Sequence, residues 1–227
     1  MMCQNLLERE ELSNLKIFES IQKNSDENIS PIKQLLNNSL SLNEKLTQLR
    51  NSISTIKLSP NGENELIKFL FDGLGENTYI PRKGDNSERF DAVINFDDYK
   101  VVTEVEIPSS AILDAPRNLL DDYAVMHTRR GENVQEIVPL VVCWDLPNKR
   151  TDYWNVISDI NTILGVKIKT ISILALALYY WTDTPINFKD DSFYLDSSNT
   201  SLLCAIDLLY NNGISESDYP GYFTPFK

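Results

Sequence analysis

Apolar residues recur three or four apart over much of this chain and in places close up into short unbroken runs. Leu66, Ile67, Leu70, Phe71 and Leu74 form one such stripe, which predicts a helix between a turn at Ser59, Pro60, Asn61 and Gly62 and the glycines Gly73 and Gly75. Residues 90–107 read as two apolar-rich strands joined by a polar turn, closed by Pro108. Ser109 or Ser110 can then cap a helix running to about Arg130, with Gly131 as its C-terminal glycine. The continuous apolar run 138–144 predicts a strand buried on both faces. Beyond it come a helix over 152–164 closed by Gly165, a strand over 166–170, a helix from a Ser172 cap to Trp181, and a helix near 200–211. From residue 60 the order is α-β-β-α-β-α-β-α, which predicts an α/β fold with a mixed central sheet flanked by helices. An aromatic tail (Tyr219, Tyr222, Phe223, Phe226) is expected to dock on that body.

The first part of the chain is different in kind. Residues 5–24 and 31–55 predict two helices, the second started by Ser30 and Pro31. Leu35, Leu42 and Leu49, with Leu46 and Ile53, give that helix a narrow apolar seam at heptad spacing. The division expected is a helical arm over 1–57 and one folded domain over 58–227. Two heptads do not decide whether the arm packs on the body or dimerises.

Composition supports a substantial core and narrows the setting. Of 227 residues, 42% are hydrophobic, enough for one domain with an appendage. Cys3, Cys143 and Cys204 are odd in number and share no CxxC spacing, so buried free thiols in a reducing compartment are expected. Residues 1–7 lack a basic lead and a long apolar run, and the apolar segment 171–181 is shorter than the roughly 20 residues a bilayer requires. A soluble, cytoplasmic protein with no membrane partner is the expectation. The formal net charge of -12 gives no general attraction to phosphates. Its distribution is uneven: residues 151–227 hold nine acids against Lys167, Lys169, Lys189 and Lys227, whereas 56–150 hold eleven of the 21 bases. The single histidine, His127, excludes His-rich zinc chemistry.

The chemistry concentrates in the predicted hairpin. Asp91 opens its first strand, and Glu104 and Glu106, two apart, share one face of the second. Carboxylates gathered at the centre of a sheet repel one another and lose hydration, so such a cluster calls for a divalent cation or a proton. The same alternation also fits a strand with one wet face. Glu63 lies on the side of its helix that carries Leu66, Ile67 and Leu70, and could add a fourth acid; as a first-turn acid it also suits the helix dipole. Glu65 points elsewhere. His127 reads either as a cation at a helix C-terminus or as a phosphate contact.

These residues resemble the PD-(D/E)xK nuclease superfamily, the fold of type II restriction endonucleases, over roughly residues 60–180. Phe90 and Asp91 stand for its Pro-Asp pair, and Glu104, Val105 and Glu106 for its (D/E)-x-Lys element. Glu106 stands where lysine is usual, which is similar to the Glu-x-Glu variant of the BamHI type. The layout of helix, hairpin, long helix, strand and Ser-capped helix looks like FokI-type cleavage domains. The resemblance implies a Mg²⁺-dependent endonuclease, with Mn²⁺ able to substitute, that hydrolyses duplex DNA as a homodimer. It implies Asp91, Glu104 and the Val105 carbonyl as metal ligands and Glu106 as the carboxylate that positions or deprotonates the water or binds a second ion, with Glu63 as a further catalytic carboxylate. It also implies Lys83, Arg89, Arg117 and Arg129 as contacts to DNA phosphates. Two alternatives stay open: an inactive binding or regulatory protein on the same fold, and a cleavage subunit that needs a separate DNA-recognition partner.

Overall fold

The computed structural model describes residues 39–52, 62–81, 90–107, 111–133 and 136–227. Its frame is a five-stranded sheet in the order β1-β2-β3-β4-β5. The strands are β1 (Asn77–Tyr79), β2 (Ala92–Asn95), β3 (Lys100–Glu106), β4 (Ile137–Cys143) and β5 (Lys169–Ser172). β1, β2 and β3 pair antiparallel, and β3, β4 and β5 pair parallel. The architecture is therefore the mixed, helix-flanked α/β sheet that the pattern predicts. β4 lies between β3 and β5 with every one of its residues buried, as its unbroken apolar run requires.

Six α-helices lie among the described residues: α1 (Leu42–Ser52), α2 (Gly62–Gly73), α3 (Ala115–Arg130), α4 (Tyr153–Leu164), α5 (Ile173–Trp181) and α6 (Leu203–Asn211). α2 contacts β1, β2 and α5, and α3, the crossover between the parallel strands β3 and β4, contacts both of them. The α2 stripe buries Leu66, Ile67, Leu70 and Phe71. Each such side chain contributes about 1.5–3 kcal/mol through the apolar area it removes from water. α1 sends Leu46 and Leu49 into the core and contacts α5. No helix among the described residues is long and apolar enough to cross a membrane.

Ser172 joins three parts of this frame. Its Oγ accepts the Ala175 N–H at 3.2 Å, capping α5, and donates to the Tyr222 carbonyl at 2.6 Å, anchoring the C-terminal tail. The tail is also tied to the segment after β4, since Leu146 N–H donates to Gly221 O at 2.8 Å and Lys149 N–H to Phe226 O at 3.0 Å. Tyr219, Tyr222 and Phe223 are buried accordingly, while Phe226 stays about half exposed.

Several expected boundaries move for identifiable reasons. α1 begins at Leu42 because Ser41 and Glu44 form a capping box: Ser41 N–H donates to Glu44 Oε2 at 2.8 Å. α3 begins at Ala115 with Asp114 in the N-cap position, not at a Ser109 or Ser110 cap, because Pro116 suits the first turn of a helix. β1 is an unexpected strand; its three polar-looking residues bury only Thr78. β5 begins at Lys169 instead of residue 166, with the Lys169 ammonium buried against Asp190 O at 2.9 Å and Asp191 Oδ1 at 3.0 Å. Cys143 is buried as expected, but Cys204 is exposed because it faces outward in the first turn of α6. The expected helix over 5–24, the Ser30 and Pro31 start, the turn at Ser59, Pro60 and Asn61, and Cys3 all lie outside the described residues.

Ser172→Ala removes the cap and strips the buried Tyr222 carbonyl of its donor. The expected loss is about 1–3 kcal/mol in urea unfolding; an unchanged midpoint would show that this junction does not hold the tail.

Candidate functional site

Backbone pairing brings the predicted acids together. β2 and β3 place Ala92 opposite Thr103, and the Asp91 N–H extends the ladder to Thr103 O at 3.1 Å. One step further sets Asp91 beside Glu104. The Asp91 carboxylate then folds over the strand, its Oδ2 accepting the Val105 N–H at 2.8 Å. Glu104 turns toward α3, where Asn118 Nδ2 donates to its Oε1 at 3.0 Å. Glu106, two residues on, accepts the Ala111 N–H at 3.1 Å through Oε2. Glu63 sits in the first turn of α2, half-buried, and its charge acts on Asp91. Its neighbour Asn64 donates to Asp91 O at 3.4 Å, and Asn64 Oδ1 is buried with no hydrogen-bond partner among the described residues.

All three acids hold a proton more tightly than usual, chiefly through burial. Burial pushes Glu104 up to about 7 against the opposing Asn118 bond, and the charges of Asp91, Asp122 and Glu106 add to the rise. Burial likewise raises Asp91, opposed by the Val105 N–H and assisted by Glu63. Glu106 is raised by burial, opposed by the Ala111 N–H, with Asp91 and Asp114 assisting. No lysine or arginine among the described residues contributes to any of the three shifts.

The donor set is all oxygen, the chemistry of a hard divalent cation. As the side chains stand, no three acid, histidine or cysteine groups among the described residues converge closely enough to enclose an ion. Mg²⁺ does not require that, because it keeps several waters and takes only one or two carboxylates plus substrate phosphate oxygens. Asp91 and Glu104 fit such an open site. The orphaned Asn64 acceptor beside Asp91 suits a hydrated cation as well, since its waters are donors.

The expected basic contacts are spread more widely. Lys83 and Arg89 lie outside the described residues. Arg117 is exposed in the first turn of α3, its guanidinium 3.8 Å from Asp114 and 4.0 Å from Asp152. Arg129, also exposed, is twelve residues further along the same helix, about 18 Å on. His127 is exposed too and pairs its Nδ1 with Glu132 O at 2.8 Å. Three participants were missed: Asn64, Asn118 and Asp122, the last only 3% exposed. A signal for Asp122 existed, because Ala115, Leu119, Asp122 and Met126 form one buried helical stripe with a single acid in it. Arg130 packs on aromatic rings next to the hairpin, its guanidinium 5.0 Å from the Phe90 ring centroid and 5.7 Å from that of Tyr79.

Glu104 gives this site a pH signature. Its folded carboxyl holds a proton more tightly than the unfolded chain does, from 4.5 up to about 7. Its contribution to stability is therefore fully present below about pH 4.5 and lost as pH rises through about 7. Glu104→Gln removes that loss, so in EDTA the variant should match the wild type near pH 4.5 and exceed it at pH 8. The gain should be about 1–3 kcal/mol once solvent screening of a partly exposed group is allowed for. Urea titrations at the two pH values check it, and equal stability at pH 8 would contradict it.

No protein-family model matches the chain, and no curated protein matches its sequence. A solved structure that it resembles is the restriction endonuclease FokI bound to DNA, at 15% identity and a TM-score of 0.35, over 64% of this chain and 31% of that one. The chain thus spans about a third of the FokI chain's length. The likeness is too slight to bear on mechanism.

Proposed function

We propose that this protein is a Mg²⁺-dependent endonuclease of type II restriction kind that hydrolyses phosphodiester bonds in duplex DNA, with Mn²⁺ able to replace Mg²⁺. The observation that carries the reading is the placement of Asp91 beside Glu104 on paired strands, both desolvated and with no described base to offset them.

Asp91 and Glu104 would hold the ion, with the Val105 carbonyl available to complete the set. A bound ion supplies a water of lowered pKa and charge to stabilise the departing oxygen. Glu106 orients the attacking water and accepts its proton at the carboxylate; burial, which raises its affinity for a proton, suits it to that task. Glu63 adds negative charge behind Asp91 and so favours cation uptake. Arg117 is exposed on the first turn of α3, the helix that presents Asn118 to Glu104, and can meet a DNA phosphate there. Lys83, Arg89 and Arg129 are proposed as further phosphate contacts. A homodimer would present one site to each strand of the duplex. With a net charge of -12, steering to DNA falls to these local bases or to a separate recognition subunit.

A second reading, a catalytically inactive DNA-binding or regulatory protein, draws on Glu106: an acid stands where the resembling enzymes usually have lysine, and its Oε2 is engaged by the Ala111 N–H.

Digestion of supercoiled DNA separates the two. Cleavage should require Mg²⁺ or Mn²⁺, cease in EDTA, and fall at least about 100-fold in Asp91→Ala and Glu104→Ala. Equal cleavage by wild type and both variants would remove the assignment, whereas no cleavage by any of them favours the inactive reading.

A further inference from the structure

We propose that Asn118 is a positioning residue for Glu104: its carboxamide holds that carboxylate in place for a divalent cation without cancelling its charge. The inference rests on the metal-site reading of Asp91 and Glu104. Asn118 Nδ2 donates to Glu104 Oε1 at 3.0 Å, and among the described residues this is the only hydrogen bond to the Glu104 carboxylate. The ionic neighbours that act on Glu104 are all acids, namely Asp91, Asp122 and Glu106. Each repels it, so Asn118 supplies the one directional attraction that selects a rotamer.

The position of the amide is set by its helix. Asp114 and Pro116 start α3, and Ala115, Leu119 and Met126 bury its inner stripe against β3 and β4. Asn118 flanks that stripe, one residue before Leu119, which brings it over the exposed-side end of β3. The residue type matters as much as the place. A lysine or arginine there would form an ion pair and compete with the cation, and a serine would be too short to span the gap between helix and strand. An amide orients the ligand and leaves its full charge available. Asn118 is itself exposed, so removing its amide leaves the buried stripe intact.

Calorimetric titration of metal-stripped protein with Mn²⁺ tests this in wild type, Asp91→Ala, Asn118→Ala, Asn118→Gln, Glu104→Gln and the Asn118→Ala/Glu104→Gln pair. Asn118→Ala should weaken Mn²⁺ binding about 10–100-fold, the range for residues that orient a metal ligand, with the urea midpoint unchanged. Asn118→Gln should recover part of the loss. In the Glu104→Gln background, Asn118→Ala should make no further difference, because the residue acts through Glu104. Wild-type Mn²⁺ affinity in Asn118→Ala, or the same fold-loss in the Glu104→Gln background, overturns the positioning role while leaving the metal site standing. Wild type that takes up no Mn²⁺, or Asp91→Ala that takes it up equally well, overturns both.

Discussion

The cost of holding Asp91 and Glu104 side by side away from water is the constraint on which the rest of this molecule turns. Neither can move apart, because β2 and β3 are locked in register by Ala92 opposite Thr103 and Val93 opposite Val102. β3 is locked in turn by seven paired positions along β4, every residue of which is buried. The hydrophobic core thus supplies the rigidity, and the carboxylates absorb the electrostatic strain. Burial first, and neighbouring acids after it, make both hold their protons more tightly than usual. A site that is costly when empty of compensating charge is a site poised to bind it.

Three donors to Asp91, Glu104 and Glu106 share a property. Val105 N–H, Asn118 Nδ2 and Ala111 N–H are neutral donors. Neutral donors fix geometry and leave charge, which is what a cation site needs. Elsewhere the chain does neutralise its acids: Asp191 receives Lys167 at 2.6 Å and Lys169 at 3.0 Å, and Asp98 receives Lys189 at 2.7 Å. The contrast between those ion pairs and the neutral donors beside Asp91 and Glu104 separates a structural use of acids from one that reserves their charge.

Much of the fold was legible because burial follows periodicity. The stripe from Leu66 to Phe71, the unbroken run of β4 and the Ser172 cap all announce themselves, since each records a local physical demand. What was not legible depends on distant partners. β1 is recruited by pairing with β2, and its Asn-Thr-Tyr sequence carries no apolar alternation. Lys169 looks like a solvent residue until Asp190 and Asp191, some twenty positions on, accept its ammonium. The same holds at the site. The sequence puts Asp91, Glu104 and Glu106 on one hairpin, but Asn118 looks like any surface asparagine until the helix places it over Glu104.

Asp91 and Glu104 are proposed to hold a divalent cation together. Anomalous diffraction from a crystal soaked in Mn²⁺ tests it most directly. A Mn²⁺ peak bound to both carboxylates is expected, with oxygen distances of about 2.0–2.3 Å. No peak between Asp91 and Glu104 at saturating Mn²⁺, or one bound only by other side chains, would contradict it.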